Sequence, residues 1–280
     1  MDRTTLSRRS FTKGLAGVGA VALAGLAGCG GDTAPGSTGD ASGTTYKIGV
    51  LQLTEHTALD AANDGFVKAL DDSGISYDID QQNAQNDQSA CQTIASTLVN
   101  NGCDLILAIA TPAAQAVAGA TSDIPIVGTA ITDFAASGLV EDNDAPGGNL
   151  TGTSDMNPVA DQIALLQQLL PDAQTVGLLY CTAESNSDIQ VSLAEEALDG
   201  AGIGHERFTV SSSNEIQQVV ESMVGKVDAI YTPTDNTIAA GMTTVAMVAN
   251  ENGLPTICGE VGMVENGGLA SVSINYEELG

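Results

Sequence analysis

From residue 47 onward, short apolar runs alternate with longer stretches whose apolar positions recur at helical spacing. KIGVLQL (47–53) is a β-rich run, and residues 58–73 follow with Leu59, Phe66, Val67 and Leu70 at helical intervals. ISYDIDQQNA (75–84) predicts the next strand, and Ser89 to Asn100 the next helix. DLILAIA (104–110) is continuously apolar, as a strand buried on both faces must be. Thr111-Pro112 opens another helix with proline near its first turn, and IPIVGTAI (124–131) predicts a further strand. GGNLTGTSD (147–155) interrupts the pattern with turn residues. The alternation then restarts, with helices over 159–170, 186–200, 214–224 and 236–251. Strands are expected over 175–180, 205–210, 227–233, 255–260 and 269–274. YEELG (276–280) reads as a helix just beginning, so the natural protein is expected to continue beyond it.

Strand–helix repetition of this kind predicts an α/β protein with parallel, doubly wound sheets. The break near 150 divides it into two lobes joined by a hinge. Lobe 1 is expected over 46–150, completed by 266–280 and a further carboxyl-terminal segment, and lobe 2 over 151–265.

The amino terminus carries a different signal. Arg3, Arg8, Arg9 and Lys13 precede an apolar run from Gly14 to Ala27, the order of a secretory signal peptide over 1–28. The run is shorter and poorer in large apolar residues than the roughly 20 that span a bilayer. SRRSFTK (7–13) resembles a twin-arginine export signal. LAGC (26–29) resembles a bacterial lipobox, which would leave Cys29 as a lipidated first residue and the membrane as a partner. The Gly/Ser/Thr-rich stretch over 29–45 is expected to be a flexible tether. Together these predict an extracytoplasmic protein anchored to the bacterial membrane.

Charge narrows the function. The chain has 35 Asp and Glu against 8 Lys and Arg, and four of those eight lie within the first 13 residues. So acidic a chain repels nucleic acid, whose affinity rests on cationic contacts with phosphate, and no nucleic-acid partner is expected. Two histidines, with no CxxC or HxxxH spacing, make a zinc site improbable. Beyond Cys29, the cysteines Cys91, Cys103, Cys181 and Cys258 are expected to be free thiols, because a chain of this size does not need disulfides. No GxGxxG follows a strand, no GxSxG is present and histidines are too few for a triad, so no cofactor is expected and an enzyme is disfavoured.

In doubly wound sheets ligands bind beyond the carboxyl ends of the strands. The loops predicted there are QLTEHTALD, ATPAAQA and AITDF in lobe 1, and GTSDMNP, YCTAESNS, TPTDNT and GE in lobe 2. They hold hydroxyls, amides and carboxylates but no Lys or Arg. Such a cleft suits a cationic amine, and the helix starts after Thr111 and Asn186 suit a carboxylate. The pair of groups describes an amino acid or analogue. Ser, Thr, Asp and Asn are equally ordinary helix caps. Asp235 and Asn236, which end a buried strand and open a helix, are the leading candidates. Asp235 either caps that helix or pairs with a ligand ammonium. His56 is a weaker ligand candidate.

The ordered set QLTEHTALDAANDGF, NAQNDQS, DLILAIATPAAQA, AITDF, GTSDMNPV, GLLYCTAESNS, YTPTDNT and GGLASVSINYEELG resembles the substrate-binding lipoproteins of tryptophan/tyrosine-type ABC transporters. The resemblance runs from Lys47 to the end. It implies a type I periplasmic-binding-protein fold, an ABC permease with its cytoplasmic ATPase as partners, and an amino-acid-type ligand, aromatic or otherwise, between the lobes. It also implies ligand roles for Glu55, Thr111, Asp133, Ser154, Asp155, Glu184, Asn186, Ser187, Asp235, Asn236 and Glu260. Thr57 departs from the family pattern, which often has proline after the histidine. The alternative is a lipoprotein that presents its ligand to a chemoreceptor or sensor kinase.

Overall fold

A computed structural model describes residues 44–280; the expected signal peptide, Cys29 and nearly all of the tether lie outside the described residues. Two parallel five-stranded sheets form the frame. The first comprises β1 (Thr45–Gln52), β2 (Ser76–Asn83), β3 (Leu105–Ile109), β4 (Ile126–Ile131) and β5 (Leu150–Ser154), in the order β2-β1-β3-β4-β5. The second comprises β6 (Thr175–Cys181), β7 (Gly204–Val210), β8 (Ala229–Thr232), β9 (Thr256–Cys258) and β10 (Ala270–Ser271), in the order β10-β9-β8-β6-β7. Each sheet therefore has the same doubly wound topology, read in chain order within its lobe.

The helices follow the expected alternation. In the first lobe they are α1 (Thr57–Ser73), α2 (Gln88–Asn100) and α3 (Thr111–Ala120). In the second they are α4 (Val159–Leu169), α5 (Ser185–Ala201), α6 (Ile216–Met223), α7 (Asn236–Ala240), α8 (Met242–Glu251) and α9 (Val261–Glu265). The final helix, α10 (Tyr276–Leu279), packs on the first lobe's core through Tyr276 and Leu279. One apolar core fills the first lobe. Two others, built around Leu166, Leu178 and Tyr231 and around Ile216, Met223 and Met242, fill the second. Cys91, Cys103, Cys181 and Cys258 are free and buried. Among the described residues no helix is long and apolar enough to cross a membrane.

Several expected boundaries move. Leu150–Ser154 is a strand paired with β4, so it extends the first sheet where the turn-rich reading placed a crossing and began lobe 2 at 151. Its glycine serves close approach, not a turn: a Cβ on Gly152 would run into the Gly128 carbonyl oxygen. The stretch 236–251 is two helices broken at Gly241, where a Cβ would meet Ile216. The last strand shrinks to Ala270–Ser271, which pairs with β9 in the second sheet. The chain returns to lobe 1 only after it, not from 266. Helix α9 is an addition to the predicted elements, formed after the GE loop; the Glu260 carboxylate caps it by accepting from the Gly262 and Met263 N–H groups.

Candidate ligand-binding cleft

In each sheet the winding reverses beside the first strand, between β1 and β3 and between β6 and β8. Loops leaving adjacent strands diverge there, which opens a crevice at the carboxyl edge. The two crevices face each other across a tightly drawn cavity of about 10 Å³, room for about one water molecule. The first lobe lines this cavity with His56, Ala58, Leu59, Ala130 and Thr132. The second contributes Asn186, Thr234, Asp235, Asn236, Ala239, Glu260 and Met263. Asp155 and Tyr276 come from the two segments that cross between lobes. No Lys or Arg is among these residues.

The buried acids divide by how fully their oxygens are used. Asp235 is fully buried and caps α7: Oδ1 accepts from Ile238 N at 2.8 Å, and Oδ2 accepts from Cys181 N at 2.6 Å and Ser187 Oγ at 2.7 Å. Burial, reinforced by the nearby Glu184 carboxylate, pushes its carboxyl up to about 8. Glu184 holds the start of the same helix from the side. Oε1 accepts from Thr237 N and Oγ1, both at 2.8 Å, and Oε2 from Asn236 N at 3.1 Å and Nδ2 at 2.6 Å. Glu260, pushed up to about 7 by burial, is spent on capping α9.

Asp155 is different. Its Oδ2 accepts from the Tyr276 hydroxyl at 3.0 Å, while its buried Oδ1 has no partner. Burial is the main cause that pushes this carboxyl up to about 6. An unpartnered buried carboxylate oxygen is expensive to leave without a donor, which marks a place for a ligand cation. Two further unpartnered buried atoms belong to residues that line the same cavity from opposite lobes, His56 Nδ1 from the first and Asn186 Oδ1 from the second. His56 Nε2 meets Asn236 Oδ1 at 3.1 Å, and burial holds the imidazole below its ordinary value, so the ring is neutral. With Nε2 donating to an amide oxygen, Nδ1 is left as an acceptor.

The other expected residues fall outside this wall. Thr111 is buried at the start of α3 with Oγ1 unpartnered, but it does not line the cavity. Ser187 supports Asp235 from behind. Ser154 bonds the Thr132 carbonyl at 2.7 Å and steadies that loop. Asp133 turns away to accept from Ala136 N and Asn143 Nδ2, which hold it below the usual carboxylate range. Glu55 is exposed.

Sequence reasoning missed Tyr276, Thr132 and Ala130. Tyr276 lies 121 residues from its partner Asp155, so no local pattern pairs them. Ala130 reaches the wall because β4 breaks register against β5 between Gly128 and Ile131, with Ala130 at φ 54°.

Two parallel doubly wound lobes around a cavity lined at their facing switch points define a two-lobed ligand-binding protein. Residues 47–280 match the family described as ABC transporter substrate binding protein, and the chain belongs to it. Members of this family bind ligands outside the cytoplasm and are not enzymes. A tyrosine-binding protein of Clostridioides difficile is 42% identical, covering 98% of this chain and 81% of the relative. An ABC domain from Streptococcus pneumoniae, solved in complex with L-Trp, is 44% identical with a TM-score of 0.82, covering 84% of this chain and 81% of that one. A substrate binding protein with adhesive properties from Clostridium difficile, solved ligand-free and open, is 46% identical over the same shares with a TM-score of only 0.60. The TM-score is thus higher with the L-Trp complex than with the open, ligand-free relative, although the latter is slightly more similar in sequence. Leucine binding protein LivK of Thermotoga maritima, at 15% identity and TM-score 0.61 over 80% of this chain and 67% of that one, shares the type I periplasmic-binding-protein fold.

Proposed function

We propose that the chain is the receptor of an ABC importer and binds an amino acid, most readily an aromatic one, between its lobes. The observation that carries this reading is a set of three buried, unpartnered acceptors on residues that line the cavity from both lobes and from the crossing between them, Asp155 Oδ1, Asn186 Oδ1 and His56 Nδ1, with no Lys or Arg among the lining residues. An ammonium group has three donors and suits a cavity with acceptors on several sides. The start of α5, where Asn186 faces the cavity, has backbone N–H groups without intrahelical partners and suits the carboxylate. Ala58, Leu59, Ala130, Ala239 and Met263 supply apolar surface for a side chain. The relatives that bind tyrosine and L-Trp support an aromatic ligand. The remaining roles belong to the same reading: export by the twin-arginine route, a lipid on Cys29, and a permease with its ATPase as partners.

The test is calorimetric titration with L-tyrosine, L-tryptophan, tryptamine and indole-3-propionate. The ammonium-bearing ligands are expected to bind, and indole-3-propionate to bind far more weakly than tryptamine. Equal binding of the last two would remove Asp155 as the counter-ion. No binding by any of them would remove the aromatic amino-acid assignment.

A further inference from the structure

Two of the side-chain bonds across the cleft end on neighbouring residues of α7. His56 Nε2 meets Asn236 Oδ1 at 3.1 Å, and Asn86 Nδ2 donates to Thr237 Oγ1 at 2.8 Å. Both acceptors are held by the same buried carboxylate, Glu184, which is not on the ligand cavity but on a separate space beside Asn86 and Thr237. We propose that Glu184 is a positioning residue for lobe closure, fixing the direction of both bonds so that lobe 2 offers acceptors to the donors of lobe 1.

The direction follows from donor and acceptor capacity. An ionised carboxylate only accepts, so the Asn236 amide must turn its NH₂ to Glu184 and its oxygen to His56. The imidazole, which is neutral, must then carry its proton on Nε2. The Thr237 hydroxyl likewise spends its proton on Glu184 and keeps its lone pairs for Asn86. Without the carboxylate the amide is free to flip and the hydroxyl to rotate, and either motion sets donor against donor. Asn86 is itself held for this bond in the left-handed region, at φ 61°, a conformation asparagine tolerates better than most residues. One carboxylate thus sets two closure contacts and, through His56, the acceptor offered to the cavity.

The inference rests on the reading that the lobes close over an amino acid, and the experiment separates the two. The full chain, Glu184→Gln, Thr237→Val and Asn86→Ala are compared by small-angle scattering, free and with L-tyrosine or L-tryptophan, and by ligand dissociation kinetics. Glu184→Gln is expected to speed dissociation about 5- to 30-fold, the loss of one or two directed hydrogen bonds. It should leave the ranking of L-tryptophan, tryptamine and indole-3-propionate unchanged. In the Asn86→Ala background its effect should shrink, since both act on one contact. Thr237→Val, which keeps the side-chain shape, gives the same direction if Glu184→Gln does not fold. A changed ranking, or unchanged dissociation in both variants, overturns the proposal. If neither amino acid binds the wild type, the assigned ligand fails and the latch is decided on the free protein. A wild type more compact than both variants upholds it, and equal compactness overturns it.

Discussion

The two lobes share one strand order, yet they build their halves of the cleft by different means. Lobe 2 uses hydrogen bonds: Glu184 and Glu260 spend both oxygens on the first turns of short helices, and Asp235 spends Oδ1 on one such turn and Oδ2 on Cys181 N and Ser187 Oγ, which fixes those groups before any ligand arrives. Lobe 1 uses backbone strain instead. All four non-glycine residues with positive φ among the described residues, Gln85, Asn86, Ala110 and Ala130, belong to it, and each follows or interrupts a strand. A wall can thus be shaped either by satisfying polar groups or by holding the chain in an unfavourable conformation. Strain held at a site has to be offset elsewhere in the fold.

Four measurements break or sharpen this contrast. The largest effect is expected at neither wall but at the acid left open between them. Asp155→Asn should weaken aromatic amino-acid binding by about 2–5 kcal/mol, roughly 30- to 4,000-fold, with the folded state retained. Equal affinity for variant and wild type would leave Asp155 a structural partner of Tyr276 only. Asp235→Ala tests the saturated wall. It strands the Cys181 N–H, the Ser187 hydroxyl and a helix cap, so urea unfolding should show a loss of about 2–4 kcal/mol. If stability holds while binding vanishes, Asp235 is a ligand group and its wall is less like scaffold than its hydrogen bonds imply.

A third measurement uses pH. Because the Asp155 carboxyl is pushed up to about 6, it is protonated below that value and offers no charge to an ammonium. Affinity should therefore rise with pH, by up to about tenfold per unit below 6, and level off above it. Titrations in buffers of different ionisation heat should show proton release near pH 6. In the free protein the sign is opposite for stability. A raised carboxyl favours the folded state most when protonated, and this contribution is lost as pH climbs from about 4 through 6. The smallest effect tests the strained wall. Ala110 sits at φ 83° and ψ 153°, a region that is essentially glycine's, so Ala110→Gly should stabilise the fold by about 1 kcal/mol. A loss of stability would show that the conformation is well tolerated.

The same contrast explains what the sequence made legible. Strand ends and helix starts are local, so the polar loops that carry Asp155, Asn186, Asp235 and Asn236 stood out from their apolar flanks. Which acids were spent on caps was not legible, since a cap and a counter-ion have the same side chain in the same place. Asp133 and Glu55 belong to the same polar loops, yet one turns to Asn143 and the other to solvent. The apolar wall was hidden for another reason: Ala58, Leu59 and Met263 resemble any core residue. Gly152 was misread because glycine serves a turn and a close strand approach equally well, and the chain alone does not say which.

The two crossings between the lobes hold one further consequence. Asp155 and Asn157 lie on the first and Ile274 and Tyr276 on the second, tied together by the Tyr276 hydroxyl and the Asn157 amide. The open acid therefore sits beside the bonds that tie the two crossings together, while His56 and Asn86 meet their partners on α7, across the cleft. Catching and keeping become separable tasks. Changes at Asp155 and changes at the α7 contacts should therefore alter ligand arrival and departure independently.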